Sequence, residues 1–208
     1  LDPATKLFFI EVEEPDMHKP SSDLERVYDP LKAQWGVDDI SCDLSIIAQL
    51  QKTLRKGDWK ITCAVFSRPQ SGGNRLVSIW PGFHDSIYGI AVDVGYTTIA
   101  AHLTDLSTGE VKASAGLMNP QIRFGEDLMS RVSYVMMNPG GEVEMTTAIR
   151  VALQQLAEEV SSQANVPLND ILEVVLVGNP VMHHLFLGID PTELGGAPFA
   201  LATGLPMT

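Results

Sequence analysis

Cysteine is scarce, basic residues are outnumbered and no apolar run is long. The only two cysteines, Cys42 and Cys63, have neither C-x-x-C nor Cys/His ligand spacing, so the chain's own thiolates support no zinc site or iron–sulfur cluster. A single disulfide between them stays open. Lys and Arg number 14 against 26 Asp and Glu, for a net charge of −12 and a pI of about 4.7. Such a chain lacks the cationic surface that carries nucleic-acid affinity, and any phosphate it holds must be held locally. No apolar segment approaches the roughly 20 residues of a membrane span, and no charged-then-apolar leader opens the sequence. Neither nucleic acid nor membrane is an expected partner, and cytoplasm is the default location. The sequence begins with Leu1 rather than methionine and runs to Thr208 without a polar tail, and both ends read as those of a fragment. What is present is ordinary for a globular protein, 45% hydrophobic and 19% charged over 208 residues, enough for one large or two modest domains.

In the first third, residues 7–13 have the β-branched and aromatic content of a strand, and residues 14–20 are turn-rich; residues 1–20 are expected as a linker segment. Ser22 and Glu25 form a capping-box pattern ahead of Leu24, Val27, Tyr28 and Leu31, a helix that Pro30 is expected to end or kink. A second helix is predicted from Ser41, with Leu44, Ile47, Leu50 and Leu54 on its apolar face and Gly57 as its stop. Strands at 59–66 and 75–80 flank a turn at 69–74. With the strand at 7–13 this gives a β-α-α-β-β module ending near Asp85, of which residues 21–86 read as a small middle α/β domain. Its histidines, His18 and His84, are isolated. The acidic groups Glu11, Glu13, Glu14, Asp38 and Asp39 read as solvated faces, and a docking or linker role fits best.

The organising stretch is residues 88–103. Between Ile90 and Val94 only Asp93 is polar, which predicts a strand buried on both faces that delivers one carboxylate near its end. Such a carboxylate needs a metal ion, a hydroxyl or backbone N–H groups. Gly95 lets a phosphate approach the backbone, while Thr97 and Thr98 bring hydroxyls and N–H donors to the same turn. An ordinary hairpin whose aspartate caps its own turn would carry the same pattern.

Two more strands follow, the second at 111–117 after a polar turn containing Gly109, completing an antiparallel meander. A loop of side-chain amides with Arg123 leads to a helix from about Glu126, apolar at Leu128, Met129, Val132, Val135 and Met136, which residues 138–141 break. The next helix carries Ile149, Leu153, Leu156 and Val160 as a core stripe. Residues 172–178 are a nearly continuous apolar strand, expected inside a sheet covered on both faces, with Asn179 at its carboxyl end as a cleft residue, a helix cap or both. His183 and His184 are adjacent on a helix and lack a third ligand at usable spacing.

The order of elements resembles the first half of the ribonuclease-H-like ATPase domain of actin, sugar kinases, DnaK-type chaperones and acetate kinase. Three motifs together resemble the reductive activators of corrinoid-dependent methyltransferases: Ala91-Val-Asp-Val-Gly-Tyr-Thr-Thr98, Asn119-Pro-Gln-Ile-Arg-Phe-Gly-Glu-Asp-Leu-Met-Ser-Arg131 and Val177-Gly-Asn-Pro-Val-Met-His-His-Leu-Phe-Leu-Gly-Ile-Asp-Pro191. The fold the resemblance implies is α/β with an α+β N-terminal module: a small linker and middle domain, then, in residues 87–208, the N-terminal part of an actin-like ATPase domain. The activity it implies is ATP-dependent delivery of an electron to the oxidised Co(II) corrinoid of a methyltransferase system, regenerating Co(I). The iron–sulfur cluster would belong to a ferredoxin domain outside this sequence. Asp93 would hold Mg²⁺ through water, Gly95, Tyr96, Thr97 and Thr98 would line the β- and γ-phosphates of ATP, and Asn179 would face the nucleotide. Tyr96 departs from the small residue expected between Gly95 and Thr97. The partners implied are nucleotide and the corrinoid protein or methyltransferase, and a homodimer is left open.

Two other readings share the same residues. A small-molecule kinase of the same superfamily would need an acceptor pocket and a catalytic carboxylate, for which Glu126 and Asp127 are the candidates. A non-catalytic interaction module could keep the fold without hydrolysis.

Overall fold

The structure is a computed structural model and describes residues 3–67 and 73–204. Residues 69–72 of the expected 69–74 turn, and residues 205–208, lie outside the described residues. The chain divides after Ile87 into two compact units, with residues 106–108 belonging to the first.

The first unit is a four-stranded sheet with two helices: β1 (Thr5–Glu11), α1 (Asp23–Trp35), β2 (Ile40–Cys42), α2 (Leu44–Lys56), β3 (Lys60–Ser67) and β4 (Asn74–Pro81). Strand order is β1-β3-β4-β2, antiparallel except for the β2–β4 pair. Residues 1–20, read from sequence as a linker, supply β1 to this sheet. The capping box forms as expected: the Glu25 N–H donates to Ser22 Oγ at 3.2 Å, and the Ser22 N–H donates to Glu25 Oε2 at 2.7 Å. Pro30, however, neither ends nor breaks α1, which runs on to Gly36 in the left-handed conformation at φ 68°. A proline inside a helix costs about 3 kcal/mol. Here Val27 and Leu31 flank it and are completely buried, and burying each contributes about 1.5–3 kcal/mol, enough to offset that cost.

The predicted second helix starts later than Ser41, which instead lies in β2. A three-residue strand held by parallel pairing to β4 has no local signature. The residue before α2 is Asp43, and its carboxylate binds the Arg75 guanidinium on β4 rather than capping the helix. Ile46, Leu50 and Leu54 form the buried stripe, four residues apart, whereas Leu44 is 80% and Ile47 41% exposed. The helix is therefore rotated from the expected face, and Gly57 ends it as predicted.

The second unit comprises β5 (Tyr88–Val94), β6 (Thr98–Asp105), β7 (Val111–Met118), a 3-10 turn (Pro120–Phe124), α3 (Leu128–Met137), α4 (Gly141–Ala164), β8 (Ile171–Gly178) and α5 (Pro180–Leu187). The meander is as predicted, Gly109 takes the left-handed turn position at φ 77°, and β8 joins beside β5 in parallel, giving the order β7-β6-β5-β8. The core lies on one face. Ile90, Val92 and Val94 of β5 and Ile99, Ala101 and Leu103 of β6 pack with Val132, Ile149, Leu156, Val160 and Val181 of the helices. The predicted burial of β5 on both faces is not found: Ala91 and Asp93 are exposed. Nor is β8 covered on both faces: Val174, Val175 and Val177 are more than half exposed, and the strand is a sheet edge among the described residues. Both strands read as continuous apolar runs because alanine and valine also occupy the outward positions. On α3, Val132 and Val135 are buried as predicted, but Met129 and Met136 face solvent.

Cys42 and Cys63 are both free thiols. Burial in β3 pushes the Cys63 thiol up to about 12, and burial also raises that of half-buried Cys42. At pH 8 only about one Cys63 in ten thousand is then thiolate, the reactive form. Labelling of the native protein with an aromatic disulfide reagent at pH 8 should release at most one equivalent, slowly and from Cys42, with the second appearing only in urea. Rapid release of two equivalents would contradict the placement of β3.

Candidate functional site

Asp93 lies near the carboxyl end of β5, and residues 95–98 turn the chain into β6. Val94 pairs with Gly178 of the neighbouring parallel strand, so Gly95 and Asn179 leave the sheet at the same end. The junction is tight: a Cβ on Gly178 would stand 3.2 Å from both the Val94 carbonyl oxygen and the Met182 Cβ. The sheet thus brings Asp93, Gly95, Tyr96, Thr97, Thr98 and Asn179 to one rim, at the carboxyl ends of two parallel strands where ligands of open α/β sheets gather. Asn179 is also a cap, since its Oδ1 accepts the Met182 N–H at 3.0 Å at the start of α5.

The outward groups of the turn are available. Asp93, Tyr96, Thr97 and Thr98 are exposed. Among the described residues the Asp93 carboxylate and both threonine hydroxyls take part in no hydrogen bond or ion pair, and the N–H groups of Tyr96 and Thr97 have no internal acceptor. Gly95 has a local reason to be glycine: its N–H donates to the Thr98 carbonyl at 3.0 Å, and a Cβ would come within 2.8 Å of that oxygen.

The inward groups of the turn are all taken. The Gly95 carbonyl accepts Asn119 Nδ2 at 2.8 Å, the Thr97 carbonyl accepts the Asn119 N–H at 2.8 Å, and the Tyr96 carbonyl accepts Arg131 Nη2 at 2.6 Å. Tyr96 therefore contributes to the inner side of the turn through its backbone, its ring staying 39% exposed. Arg131 is completely buried on α3. Its Nε donates to the Gly125 carbonyl at 2.9 Å, and its Nη1 contacts Gln121 Oε1 and Met182 Sδ, each at 3.2 Å. Asn119 Oδ1 in turn accepts the Gln121 N–H at 2.9 Å, and Gln121 Nε2 donates to the Met145 carbonyl at 3.1 Å. One guanidinium thus links the turn, the 119–125 loop and α5. Desolvation lowers its pKa, yet arginine stays cationic. No carboxylate lies within salt-bridge distance of it among the described residues; Asp127 instead caps α3 through Ser130, whose hydrogen bonds hold the Asp127 carboxyl below the usual range.

Sequence reasoning placed these elements but missed the roles of Asn119, Gln121 and Arg131. The available signal was position: Arg131 adjoins buried Val132 and precedes buried Val135 by one turn, so it sits on the inward face of α3. Conversely, His184 is a satisfied core residue, with Nδ1 on the Pro180 carbonyl at 2.7 Å and Nε2 accepting the Ala202 N–H at 3.2 Å. No group of three metal-ligating side chains occurs among the described residues, and no helix there is long and apolar enough to cross a membrane. Two concavities of this unit are lined by residues other than 93–98. One of about 540 Å³ follows the exposed side of β8 and α5, and one of about 910 Å³ runs between Met118, Arg123 and α4.

The family models for the RACo linker region and the RACo middle region match residues 1–86 and 88–207. The chain belongs to the RACo family. The two matches meet at Ile87, where the chain divides, with residues 106–108 falling in the middle-region match. The corrinoid activation enzyme RamQ of Eubacterium limosum is 36% identical over 129 residues, 61% of this chain and 22% of that protein. A solved structure, described as a reductive activator for corrinoid, iron-sulfur protein, superposes with a TM-score of 0.82 at 30% identity, covering 97% of this chain and 32% of that one. The chain therefore spans about a fifth to a third of the length of these relatives.

Replacing Arg131 by Met would leave the Tyr96 and Gly125 carbonyls and Gln121 Oε1 without their donor, at a cost of about 3 kcal/mol or more. The urea midpoint of the 208-residue chain should fall accordingly; a loss below about 0.5 kcal/mol would show that the network does not hold this unit together.

Proposed function

We propose that this RACo-family chain is part of an ATP-dependent activator that drives one electron from an iron–sulfur domain to an oxidised Co(II) corrinoid, regenerating Co(I) for methyl transfer. The observation that carries this reading is the agreement of both units with one family whose named relatives are a corrinoid activation enzyme and a reductive activator for a corrinoid, iron-sulfur protein. With two cysteines the chain cannot supply four thiolates, so the cluster belongs to another segment or polypeptide.

Residues 87–208 would form part of an actin-like ATPase domain. The antiparallel meander followed by a parallel β8 supports that assignment, as does the turn at the carboxyl ends of β5 and β8. The rim fits a magnesium–nucleotide complex in donor chemistry: one exposed carboxylate without an internal partner, two exposed hydroxyls and outward N–H groups. Asp93 would hold Mg²⁺ through water, Gly95, Tyr96, Thr97 and Thr98 would line the β- and γ-phosphates, and Asn179 would face the nucleotide. Bound there, the nucleotide supplies phosphoanhydride free energy. The chain's contribution is to favour the nucleotide-bound arrangement, since a ligand shifts a conformational equilibrium only by its differential affinity for the two states. A corrinoid protein or methyltransferase is the partner, and the acidic surface is compatible with a protein surface.

The test is Asp93→Asn in the intact protein, supplied with a low-potential reductant and a Co(II) corrinoid protein and followed by the absorbance of Co(I). ATP-dependent reduction should fall by about a hundredfold, the scale of losing one charge-stabilising group. Reduction that proceeds equally without ATP, or at the wild-type rate in the variant, would overturn this assignment. ATP-dependent phosphorylation of a small molecule would favour a kinase instead.

A further inference from the structure

We propose that Asn119 and Arg131 are positioning residues of a phosphate-holding turn, fixing its peptide planes so that the N–H groups of Tyr96 and Thr97 face outward. The inference deepens, and rests on, the nucleotide reading of residues 93–98 above.

In a trans peptide the C=O of one residue and the N–H of the next point in opposite directions. The described residues have one cis bond, Ala197-Pro198, so the bonds of this turn are trans. The carbonyls of Gly95, Tyr96 and Thr97 are drawn in turn to Asn119 Nδ2, Arg131 Nη2 and the Asn119 N–H. The N–H groups of Tyr96 and Thr97 must therefore face away from that network, whereas that of Thr98, whose own carbonyl takes the Gly95 N–H, lies on the β5 edge of β6. Asn119, Gln121 and Arg131 are fully buried, whereas the side chains of residues 96–98 are exposed, so away from the network means toward the rim. Successive N–H groups on one side of a turn make a concavity for an anion.

The charge adds to the geometry. A buried cation whose hydrogen bonds go to carbonyls, an amide oxygen and a thioether, with the Tyr96 ring 5.9 Å away and the Asp127 carboxylate beyond salt-bridge distance, keeps part of its charge uncompensated. Its field reaches the turn through the Tyr96 peptide that it grips and favours negative charge on the far side, most strongly the polyphosphate end of a nucleotide. Neither residue touches the phosphates; both act through the backbone of residues 95–98.

Equilibrium binding of MgATP and of AMP to the intact wild type, Asn119→Ala and Arg131→Lys tests this. Lysine keeps the charge but cannot replace the fork that reaches Tyr96, Gly125 and Gln121 together. MgATP affinity should fall about tenfold or more in each variant, the scale of one charged hydrogen bond, while AMP affinity stays within about twofold. A merely structural role would move both ligands together. Folded variants that bind MgATP as the wild type does would overturn the proposal. Should neither variant fold, amide hydrogen exchange of the wild type decides. MgATP should slow exchange at Tyr96 and Thr97, and unchanged exchange there would overturn it. A wild type that binds no MgATP would remove the nucleotide reading, and this inference with it.

Discussion

The second unit depends on how one buried guanidinium is satisfied. Arg131 lies in the core without a carboxylate within salt-bridge distance among the described residues, a placement whose desolvation cost must be met by hydrogen bonds. Three of its acceptors, Tyr96, Gly125 and Gln121, belong to segments with little regular structure of their own, and the fourth, Met182, sits in the first turn of α5. Their conformations follow from the need to place oxygen or sulfur on a planar fork. The rim at the carboxyl ends of β5 and β8 is thus shaped from below, by the same interaction that joins α3 to α5.

The same logic explains two glycines. Gly125 follows the 3-10 turn and packs against the first turn of α3, where a Cβ would come within 2.7 Å of the Arg131 nitrogen. Its carbonyl is at once a ligand of the Arg131 side chain. At Gly178 the close approach of β5, β8 and α5 leaves no room for a Cβ without displacing the Val94 carbonyl or Met182. Both glycines permit close backbone approach around the network, so the turn and the Asn179 cap are set at one height on the sheet.

Much of this was legible in the sequence because it is local. The Ser22 and Glu25 box, the Gly57 and Gly109 punctuation, and the 149–160 stripe each depend on neighbours within a turn or two of helix, and each appears as expected. What escaped was non-local. Ser41 belongs to a strand that exists only through β4, the proline inside α1 is tolerated because Val27 and Leu31 are fully buried, and the apparent two-sided burial of β5 and β8 came from small apolar residues on an outward face. Asp93, Gly95, Thr97 and Thr98 could be singled out because their side chains or lack of one suit phosphate. Asn119 could not, because an asparagine before a proline reads as a turn, and Arg131 was passed over, because an arginine in a helix reads as surface unless its spacing to Val132 and Val135 is weighed; both are buried at 0% exposure.

The most direct test is a crystal structure of the intact protein with Mg²⁺ and a non-hydrolysable ATP analogue. The account predicts phosphate oxygens about 3 Å from the N–H groups of Tyr96 and Thr97, with the Tyr96 carbonyl still held by Arg131. Phosphates bound away from residues 95–98, or a Tyr96 carbonyl turned outward to face them, would contradict it.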